Sequence, residues 1–185
     1  MSRMGKRPLE IPDGVEIKKE NNKLVASGPK GELSCEIKGE ITVKIGEDEV
    51  VVNRPSDRKR HKSMHGLMWS LVNNLITGVH EGFEKTLVLN GLGYRVNKSG
   101  NSLKLELGFS NPVNIDIPED VEVNVPNNTT IKISGADKES VGQFAATLRQ
   151  LRDPDPYNQK GIKYQGEYIP QKVGKAVGGE AAMGT

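Results

Sequence analysis

A helical period first enters the sequence at residues 64–78, which read Met-His-Gly-Leu-Met-Trp-Ser-Leu-Val-Asn-Asn-Leu-Ile-Thr-Gly. The apolar residues recur at spacings of three and four, which places them on one face of a helix. The members of this face are Met64, Leu67, Met68, Leu71, Val72 and Leu75. Gly78 is the predicted C-terminal stop, because glycine is favoured just beyond the last helical residue. The first half of the chain is therefore expected to end in one amphipathic helix.

The residues before this helix follow a different period. Apolar side chains alternate with polar ones, as at Ile41, Val43 and Ile45, which is typical of strands with one buried face. Asn21-Asn22 and Gly28-Pro29-Lys30-Gly31 have the composition of turns. Strands are predicted at residues 15–19, 23–27, 33–37, 41–45 and 50–53.

The second half repeats this order. Strands are predicted at residues 86–90, 94–98, 103–107, 113–117, 121–125 and 130–133. A second helical face follows, formed by Val141, Phe144, Ala145, Leu148 and Leu151. Asp137 is expected to cap the first turn of this helix by accepting backbone N–H bonds, and Asp153-Pro154 to end it.

The two halves superpose. Gly28 falls on Gly108 at a shift of 80 residues, and Gly66 falls on Gly142 at a shift of 76. This predicts an α+β fold made by tandem duplication of a small antiparallel sheet packed on one helix, followed by an irregular basic tail. The predicted domains are residues 1–81 (first repeat with a basic N-terminal end), 82–152 (second repeat) and 153–185 (C-terminal extension).

Composition argues against several classes of protein. Hydrophobic residues make up 35% and aromatic residues 4% of the 185, which leaves little volume for a large enzyme core. Cys35 is the single cysteine, so no intramolecular disulfide can form, as is usual in a reducing cytoplasm. No apolar run approaches the roughly 20 residues that cross a bilayer, so a cytoplasmic protein without a membrane partner is expected.

Basic residues are concentrated near the C-terminus, although the formal net charge is only +2. The cations are Arg149 and Arg152 at a helix end, followed by Lys160, Lys163, Lys172 and Lys175. Two tyrosines, Tyr157 and Tyr164, lie among them. Such cations neutralise phosphates, and tyrosine rings stack on unpaired bases or pack against ribose. The alternative is a set of cations that suits a helix C-terminus, followed by a solvated tail.

A second basic cluster, Arg58, Lys59, Arg60 and Lys62, precedes the first helix. Cations at a helix N-terminus oppose the helix dipole, so the cluster is unfavourable unless anions offset it. That favours phosphate binding. A flexible, solvated loop is the alternative.

No catalytic or metal site can be nominated. His61 and His65 have the i, i+4 spacing of a metal-binding pair, but no third ligand is apparent. Gly91-Leu92-Gly93 lacks the third glycine of a dinucleotide-binding loop, and a turn between strands explains it better. Asp153 and Asp155 lie in an exposed, proline-rich segment that does not suit a general acid. We therefore expect no enzyme activity, no cofactor and no metal.

The sequence resembles the bacterial large-subunit ribosomal protein six family over essentially its whole length, and five stretches carry the resemblance. They are Ser2-Arg3-Met4-Gly5-Lys6-Arg7-Pro8, Gly28-Pro29-Lys30-Gly31, Asn90-Gly91-Leu92-Gly93-Tyr94-Arg95, Leu107-Gly108-Phe109-Ser110-Asn111-Pro112-Val113 and residues 135–164. The resemblance implies a duplicated α+β protein of the cytoplasmic ribosome. It also implies binding to large-subunit ribosomal RNA near the sarcin–ricin region and the base of the factor-binding stalk. Neighbouring ribosomal proteins would be its other partners, with one copy per ribosome and no homo-oligomer.

The resemblance assigns the main RNA contacts to the second domain and the tail. Carried onto this chain, they are Tyr157, Lys160, Gly161, Lys163, Tyr164, Lys172 and Lys175, with Arg3, Lys6 and Arg7 in the basic N-terminal end. Two departures matter. Asn158-Gln159 stands where the family commonly has Lys-Gly, which removes one cation, and Asn111 stands where a histidine is common.

The sequence therefore predicts a structural subunit that positions itself on RNA phosphates and recognises RNA shape rather than base sequence. One alternative is a protein–protein adaptor that uses exposed sheet edges and a docking tail. The other is a small nucleotide-dependent enzyme that uses the turn at residues 91–93.

Overall fold

The computed structural model describes residue 5 and residues 7–174. Within them the chain forms thirteen strands and two helices. The elements of the first half are β1 (Leu9–Glu10), β2 (Glu16–Glu20), β3 (Lys23–Gly28), β4 (Gly31–Glu36), β5 (Thr42–Ile45), β6 (Glu49–Asn53) and α1 (Lys59–His80). Those of the second half are β7 (Phe83–Asn90), β8 (Arg95–Ser99), β9 (Ser102–Glu106), β10 (Val113–Asp116), β11 (Glu122–Asn127), β12 (Thr130–Gly135), α2 (Lys138–Leu151) and β13 (Gly161–Tyr164).

The sheet topology repeats itself. In the first half the strand orders are β1-β6-β5 and β2-β3-β4, and in the second half they are β11-β12-β7-β13 and β10-β9-β8. The order β7-β12-β11 thus matches β1-β6-β5, and β8-β9-β10 matches β2-β3-β4. In each half one helix follows these matching strands, and β13 is added after α2. The predicted α+β fold with a tandem duplication is confirmed.

The sequence did not predict β1. Two residues are too few to display an alternating pattern, and Pro8 and Pro12 flank them. In the structure Leu9 pairs opposite Val50 of β6 and is buried. β1 is therefore the first-half counterpart of β7, and it completes the repeat.

The buried face of α1 is shifted from the predicted one. Met68, Val72 and Leu75 are buried as expected, and Ile76 and Val79 extend the face along the helix. Leu67, which was predicted on this face, is 43% exposed. It lies on the flank of the stripe, because the buried residues of α1 follow the phase of Met68, Val72 and Val79.

Gly78 does not end α1. The helix continues to His80, and the N–H groups of Glu81 and Gly82 both donate to the Thr77 carbonyl, at 2.8 and 3.1 Å. Gly82 has a φ of +80° and is the residue that ends the helix, as glycine does in the left-handed conformation. Gly78 is buried inside the last turns. A Cβ atom on it would lie 2.3 Å from the carbonyl oxygen of Ala136, so its lack of a side chain is required by packing.

α2 begins as predicted. The Asp137 carboxylate accepts the backbone N–H of Glu139 at 3.0 Å and that of Ser140 at 3.1 Å. The predicted face is buried at Val141, Phe144, Ala145 and Leu148, whereas Leu151 at the end of the helix is half-buried.

The chain divides into two compact units that interleave along the sequence. One contains the described part of Met1–Lys85 with Ile117–Val123 and Lys132–Ala145, and the other contains Thr86–Asp116, Asn124–Ile131 and the described part of Ala146–Thr185. The domain boundaries expected at residues 81/82 and 152/153 stay a prediction. Neither helix in the described residues combines the length and the apolar character needed to span a membrane.

Candidate nucleic-acid interface

Part of the tail after α2 is docked on a sheet. β13 forms the edge of the four-stranded sheet and pairs antiparallel with β7, so that Gly161 lies opposite Asn90 and Tyr164 opposite Leu87. Ile162 is fully buried, and burying such a side chain contributes about 2 kcal/mol. The sequence predicted an irregular tail here, because four residues are too few to reveal an alternating pattern.

Glycine is required at the start of β13. Gly161 has a φ of +145°, and a Cβ atom on it would lie 2.6 Å from the Cα of Pro154 and 2.7 Å from the carbonyl carbon and oxygen of Asp153. The resemblance assigns Gly161 a contact with RNA. The close approach that the structure contains is instead to the chain's own backbone at Asp153 and Pro154, and an RNA contact of Gly161 stays a prediction.

Arg149, near the end of α2, holds the tail through two carboxylates. Its Nε and Nη2 donate to the two carboxylate oxygens of Glu167 at 3.2 and 2.7 Å, and its Nη1 donates to Asp153 at 2.8 Å. The hydrogen bond to Glu167 raises the pKa of Arg149 and lowers the pKa of Glu167 below its ordinary value. This guanidinium is neutralised within the chain, so it is a poorer phosphate ligand than the cations around it.

The outer edge of β13 has its outward N–H groups occupied. The Ile162 N–H donates to the Arg152 carbonyl at 2.8 Å, and the Tyr164 N–H donates to the Glu167 carboxylate at 2.9 Å. Alternate residues of an antiparallel strand point their N–H groups away from the partner strand, and these are the donors that an added strand would use. This edge is therefore protected against strand addition.

The loop between α2 and β13 contains a turn that is held together by Asp155. The Asp155 carboxylate accepts the N–H of Tyr157 at 3.0 Å, and this bond is the main reason that the pKa of Asp155 is lowered. The Asp155 N–H donates to the Lys160 carbonyl at 2.8 Å, and Gln159 takes a left-handed φ of 56°. The side-chain amide of Asn90 donates to the Gln159 carbonyl at 2.9 Å. The loop is thus fixed to the end of β7 before any partner arrives.

Four of the predicted cations have no ion pair among the residues that the structure describes. They are Arg152, Lys160, Lys163 and Lys172. Lys160 and Lys172 are exposed and Lys163 is half-buried. Asp153 and Glu167 are engaged by Arg149, and Asp155 is the third acid of residues 149–174, against five cations; the Tyr157 N–H bond is the main cause of its lowered pKa and the charge of Lys160 a smaller one. The tail therefore presents a net positive surface.

Aromatic side chains accompany the cations. Tyr157 is 52% exposed, and Tyr164 is half-buried. Phe109, which the sequence did not nominate, is 44% exposed and lies under the Arg152 guanidinium, 5.2 Å from its ring centre. The sequence offered no signal for this contact, since the two residues are 43 positions apart (152 − 109).

The remaining predicted site residues lie elsewhere. Arg7 is exposed, and its carbonyl accepts a hydrogen bond from the Trp69 indole at 2.8 Å. Arg3, Lys6 and Lys175 lie outside the described residues. They stay predictions.

The features considered for metal or nucleotide binding have local explanations. The two ring nitrogens of His65 face the Val52 carbonyl at 2.8 Å and Arg54 Nη1 at 3.1 Å. Within the described residues no three His, Cys, Asp or Glu side chains group as a metal site requires. Gly91 and Gly93 have φ values of +157° and +77° in the turn between β7 and β8, and a Cβ on Gly91 would meet the Tyr94 ring at 2.9 Å. The predicted turn between strands is confirmed.

We expect Glu167→Gln to loosen the tail, and to do so in a pH-dependent way. The folded protein depresses the pKa of Glu167 below its ordinary value of 4.5, so the stabilisation is complete above that value and is lost as the pH falls through the lower, folded value. Allowing for solvent screening, the substitution should lower the free energy of unfolding by about 1 kcal/mol at pH 7.

Urea unfolding followed between pH 7 and pH 3 provides the measurement. The wild-type protein should lose more stability than Glu167→Gln over this range, so the two curves should converge at low pH. Glu119→Gln is the matched control, because Glu119 is an exposed glutamate in the loop before β11. Parallel curves for the wild type and Glu167→Gln would contradict the assigned role of the Arg149–Glu167 pair.

Comparison with known proteins identifies what the chain is similar to. The family model described as ribosomal protein L6 matches residues 11–82 and again residues 90–165. A large ribosomal subunit protein uL6 from Shouchella clausii is 49% identical over 175 residues, which cover 95% of this chain and 98% of the relative. Its counterpart from Erythrobacter litoralis is 51% identical over 175 residues, covering 95% and 99%, and that from Natranaerobius thermophilus is 50% identical over 95% and 98%.

Proposed function

The chain belongs to the ribosomal protein L6 family, and on that premise we propose that it binds large-subunit ribosomal RNA through its second repeat and tail. Its relatives are named as large ribosomal subunit proteins, which are structural components of the ribosome. The chain is accordingly a structural protein of translation in the cytoplasm, and not an enzyme. We further propose that it lies near the sarcin–ricin region and the base of the factor-binding stalk, in one copy per ribosome beside neighbouring ribosomal proteins.

The observation that carries the proposal is the docked tail with its unpaired cations. Lys160 ends a loop fixed by Asp155 and Asn90, and Lys163 lies in β13. Such groups meet phosphates without losing much conformational freedom, because the backbone that holds them is already ordered. Lys172 and Arg152 extend the same positive surface, and the exposed ring of Tyr157 suits stacking on an unpaired base or ribose.

Arg149 has a supporting part in this proposal. Its guanidinium fixes Glu167, and Glu167 in turn accepts the N–H of Tyr164 at 2.9 Å. These bonds hold the backbone of β13 in position, and Lys163 lies in that strand. We therefore expect Arg149 to position the RNA contacts and not to provide one.

The protected edge of β13 weakens the alternative of a protein adaptor. Strand addition at this edge would have to displace the hydrogen bonds of the Ile162 and Tyr164 N–H groups. The tail itself cannot serve as a free docking peptide over residues that are already paired with β7.

We expect Lys160→Ala combined with Lys163→Ala to weaken binding to a large-subunit ribosomal RNA transcript and to reduce its salt dependence. Each phosphate contact removed should lower the slope of log K against log salt concentration by 0.7–0.9, so the pair should lower it by about 1.5. Filter binding across a range of KCl concentrations measures both quantities. Lys19→Ala with Lys44→Ala is the control, because both lysines are exposed on strands of the first half. Unchanged affinity and slope in the Lys160/Lys163 variant would reject these two residues as contacts.

A further inference from the structure

We propose that the first repeat carries a second phosphate-binding surface for RNA, formed by Arg58, Lys59, Arg60 and Lys62 at the start of α1. This inference rests on the proposed RNA-binding function but goes beyond it, because that function uses the second repeat and the tail. We call these four side chains the α1 basic surface.

The charges of the α1 basic surface are not compensated within the described chain. Asp57 is the one acid among residues 54–62, and its carboxylate accepts hydrogen bonds from Arg54 at 3.0 and 2.7 Å. None of the four cations has an ion-pair partner among the described residues. Arg58, Lys59 and Arg60 are exposed, and Lys62 is half-buried. The acids near this surface, Asp57 and Glu40, contact Arg54 and His61, so three exposed cations and the half-buried Lys62 have no ion-pair partner of their own among the described residues.

This concentration of charge opposes the stability of the helix that carries it. Arg58 is the N-cap of α1, makes no side-chain capping bond, and is followed by a first turn without an acid. Each cation at that end adds repulsion from the helix dipole. The equivalent helix α2 shows the ordinary solution, since Asp137 caps it and Glu139 lies in its first turn. The repeats share one topology, so the local fold does not require the reversed charge pattern of α1.

Two described residues near the N-terminus, Gly5 and Arg7, lie beside α1. The Arg7 carbonyl accepts the Trp69 indole N–H at 2.8 Å, and a Cβ on Gly5 would lie 2.8 Å from the His65 ring. Gly5 and Arg7 therefore lie beside the second and third turns of α1, respectively. His65 is held in place by the Val52 carbonyl at 2.8 Å and by Arg54 at 3.1 Å. The exposed Arg7 thus adds a fifth positive charge beside α1.

The chemistry of this surface fits a sugar–phosphate backbone better than an acidic protein. The exposed residues at the start of α1 are Arg58, Lys59, Arg60 and Ser63, none of them apolar, and the exposed Leu67 lies one turn further along the helix. Protein interfaces bury an apolar centre and are depleted in lysine. Guanidinium groups match phosphate oxygens with two parallel hydrogen bonds, and lysines add mobile charge, as in RNA contacts that recognise the backbone.

The test uses the full chain with all four cations replaced, Arg58→Gln, Lys59→Gln, Arg60→Gln and Lys62→Gln. Glutamine is a good helix former, so α1 should be retained. Affinity for a full-length large-subunit ribosomal RNA transcript is measured against KCl concentration, and hydroxyl-radical footprints are recorded at saturating protein. The matched control neutralises Lys19, Lys30, Lys44 and Lys104, which are four exposed lysines outside α1 and the loop that precedes it. A third variant carries Lys160→Gln and Lys163→Gln.

We expect the α1 variant to lower the slope of log K against log salt by about 3 and to lose one protected RNA region, while the tail variant loses a different region. The unbound α1 variant should also unfold about 2–4 °C higher than wild type, because like charges at the helix start have been removed. An unchanged slope and footprint in the α1 variant, with the tail variant still impaired, would overturn this inference alone. Loss of ribosomal-protein association in the α1 variant without any change in RNA binding would also overturn it, in favour of an acidic protein partner. Salt-insensitive binding by the wild type would instead overturn the proposed function.

Discussion

Replacing Gly161 by alanine should undock the tail and lower the free energy of unfolding by about 3 kcal/mol. Two costs add at this position. The φ of +145° belongs to a region that side-chain-bearing residues rarely adopt, and the new Cβ would lie 2.6 Å from Pro154 Cα and 2.7 Å from the Asp153 carbonyl. Both neighbours are backbone atoms, so they cannot turn away as a side chain would. The strain can be relieved only by moving β13 off β7.

Gly166→Ala separates the two costs. Gly166 also has a positive φ, of +80°, but no atom lies within 4 Å of the position its Cβ would take. This control should cost about 1 kcal/mol, the conformational penalty alone. Urea unfolding measures the difference, and amide hydrogen exchange at Ile162 and Tyr164 reports whether β13 is still paired. Equal destabilisation by the two substitutions would show that the contact with Asp153 and Pro154 is unimportant.

Gly161→Ala also tests how much of RNA binding depends on geometry. The substitution removes no charge, so every cation of the tail remains in the chain. If Lys160 and Lys163 work because β13 and the Asp155 turn hold them in place, affinity for ribosomal RNA should fall even though the net charge is unchanged. Retained affinity would mean that a flexible basic tail is sufficient.

The sequence predicted the parts of the fold that repeat a pattern. Strands such as β3 and β5 and the face of α1 around Met68 bury one side, so their periods of two and of three to four residues are visible in the chain itself. The Asp137 cap is also local, because the carboxylate and the N–H groups it accepts are within three residues. β1 and β13 were missed for the opposite reason. Their conformation comes from the strand beside them, and they are too short to carry a period of their own.

The sequence predicts the positive charge of the candidate site but not which of its cations form ion pairs within the chain. Lysines and arginines at the end of the chain were evident, but their number does not reveal which of them are already neutralised. Arg149 and Glu167 are 18 residues apart, and they meet because β13 returns along β7. In the structure Arg149 is paired with Glu167, whereas Lys160 and Lys163 have no ion pair among the described residues, and a phosphate contact of Arg149 stays a prediction. The same limit applies to Gly161. Its close neighbours, Asp153 and Pro154, are brought to it by the turn at Asp155, which the sequence did not predict.

Two glycines of α1, Gly66 and Gly78, should respond to alanine with changes of opposite sign in the free energy of unfolding. In a helix interior alanine is favoured over glycine by about 1 kcal/mol. Gly66 has no atom within 4 Å of its Cβ position, so Gly66→Ala should stabilise the protein by about that amount.

At Gly78 the new methyl group would lie 2.3 Å from the Ala136 carbonyl oxygen and 3.2 Å from side-chain atoms of Leu33 and Phe83. The backbone oxygen cannot yield without moving the start of α2, so we expect Gly78→Ala to destabilise by about 2–3 kcal/mol despite the gain in helix propensity. Thermal and urea unfolding of the two single variants measure the signs directly. If both variants were stabilised, the approach of the Ala136 carbonyl oxygen would not require glycine at position 78. Destabilisation of Gly78→Ala alone would instead show that the glycine is needed because the segment before α2 packs against the last turns of α1.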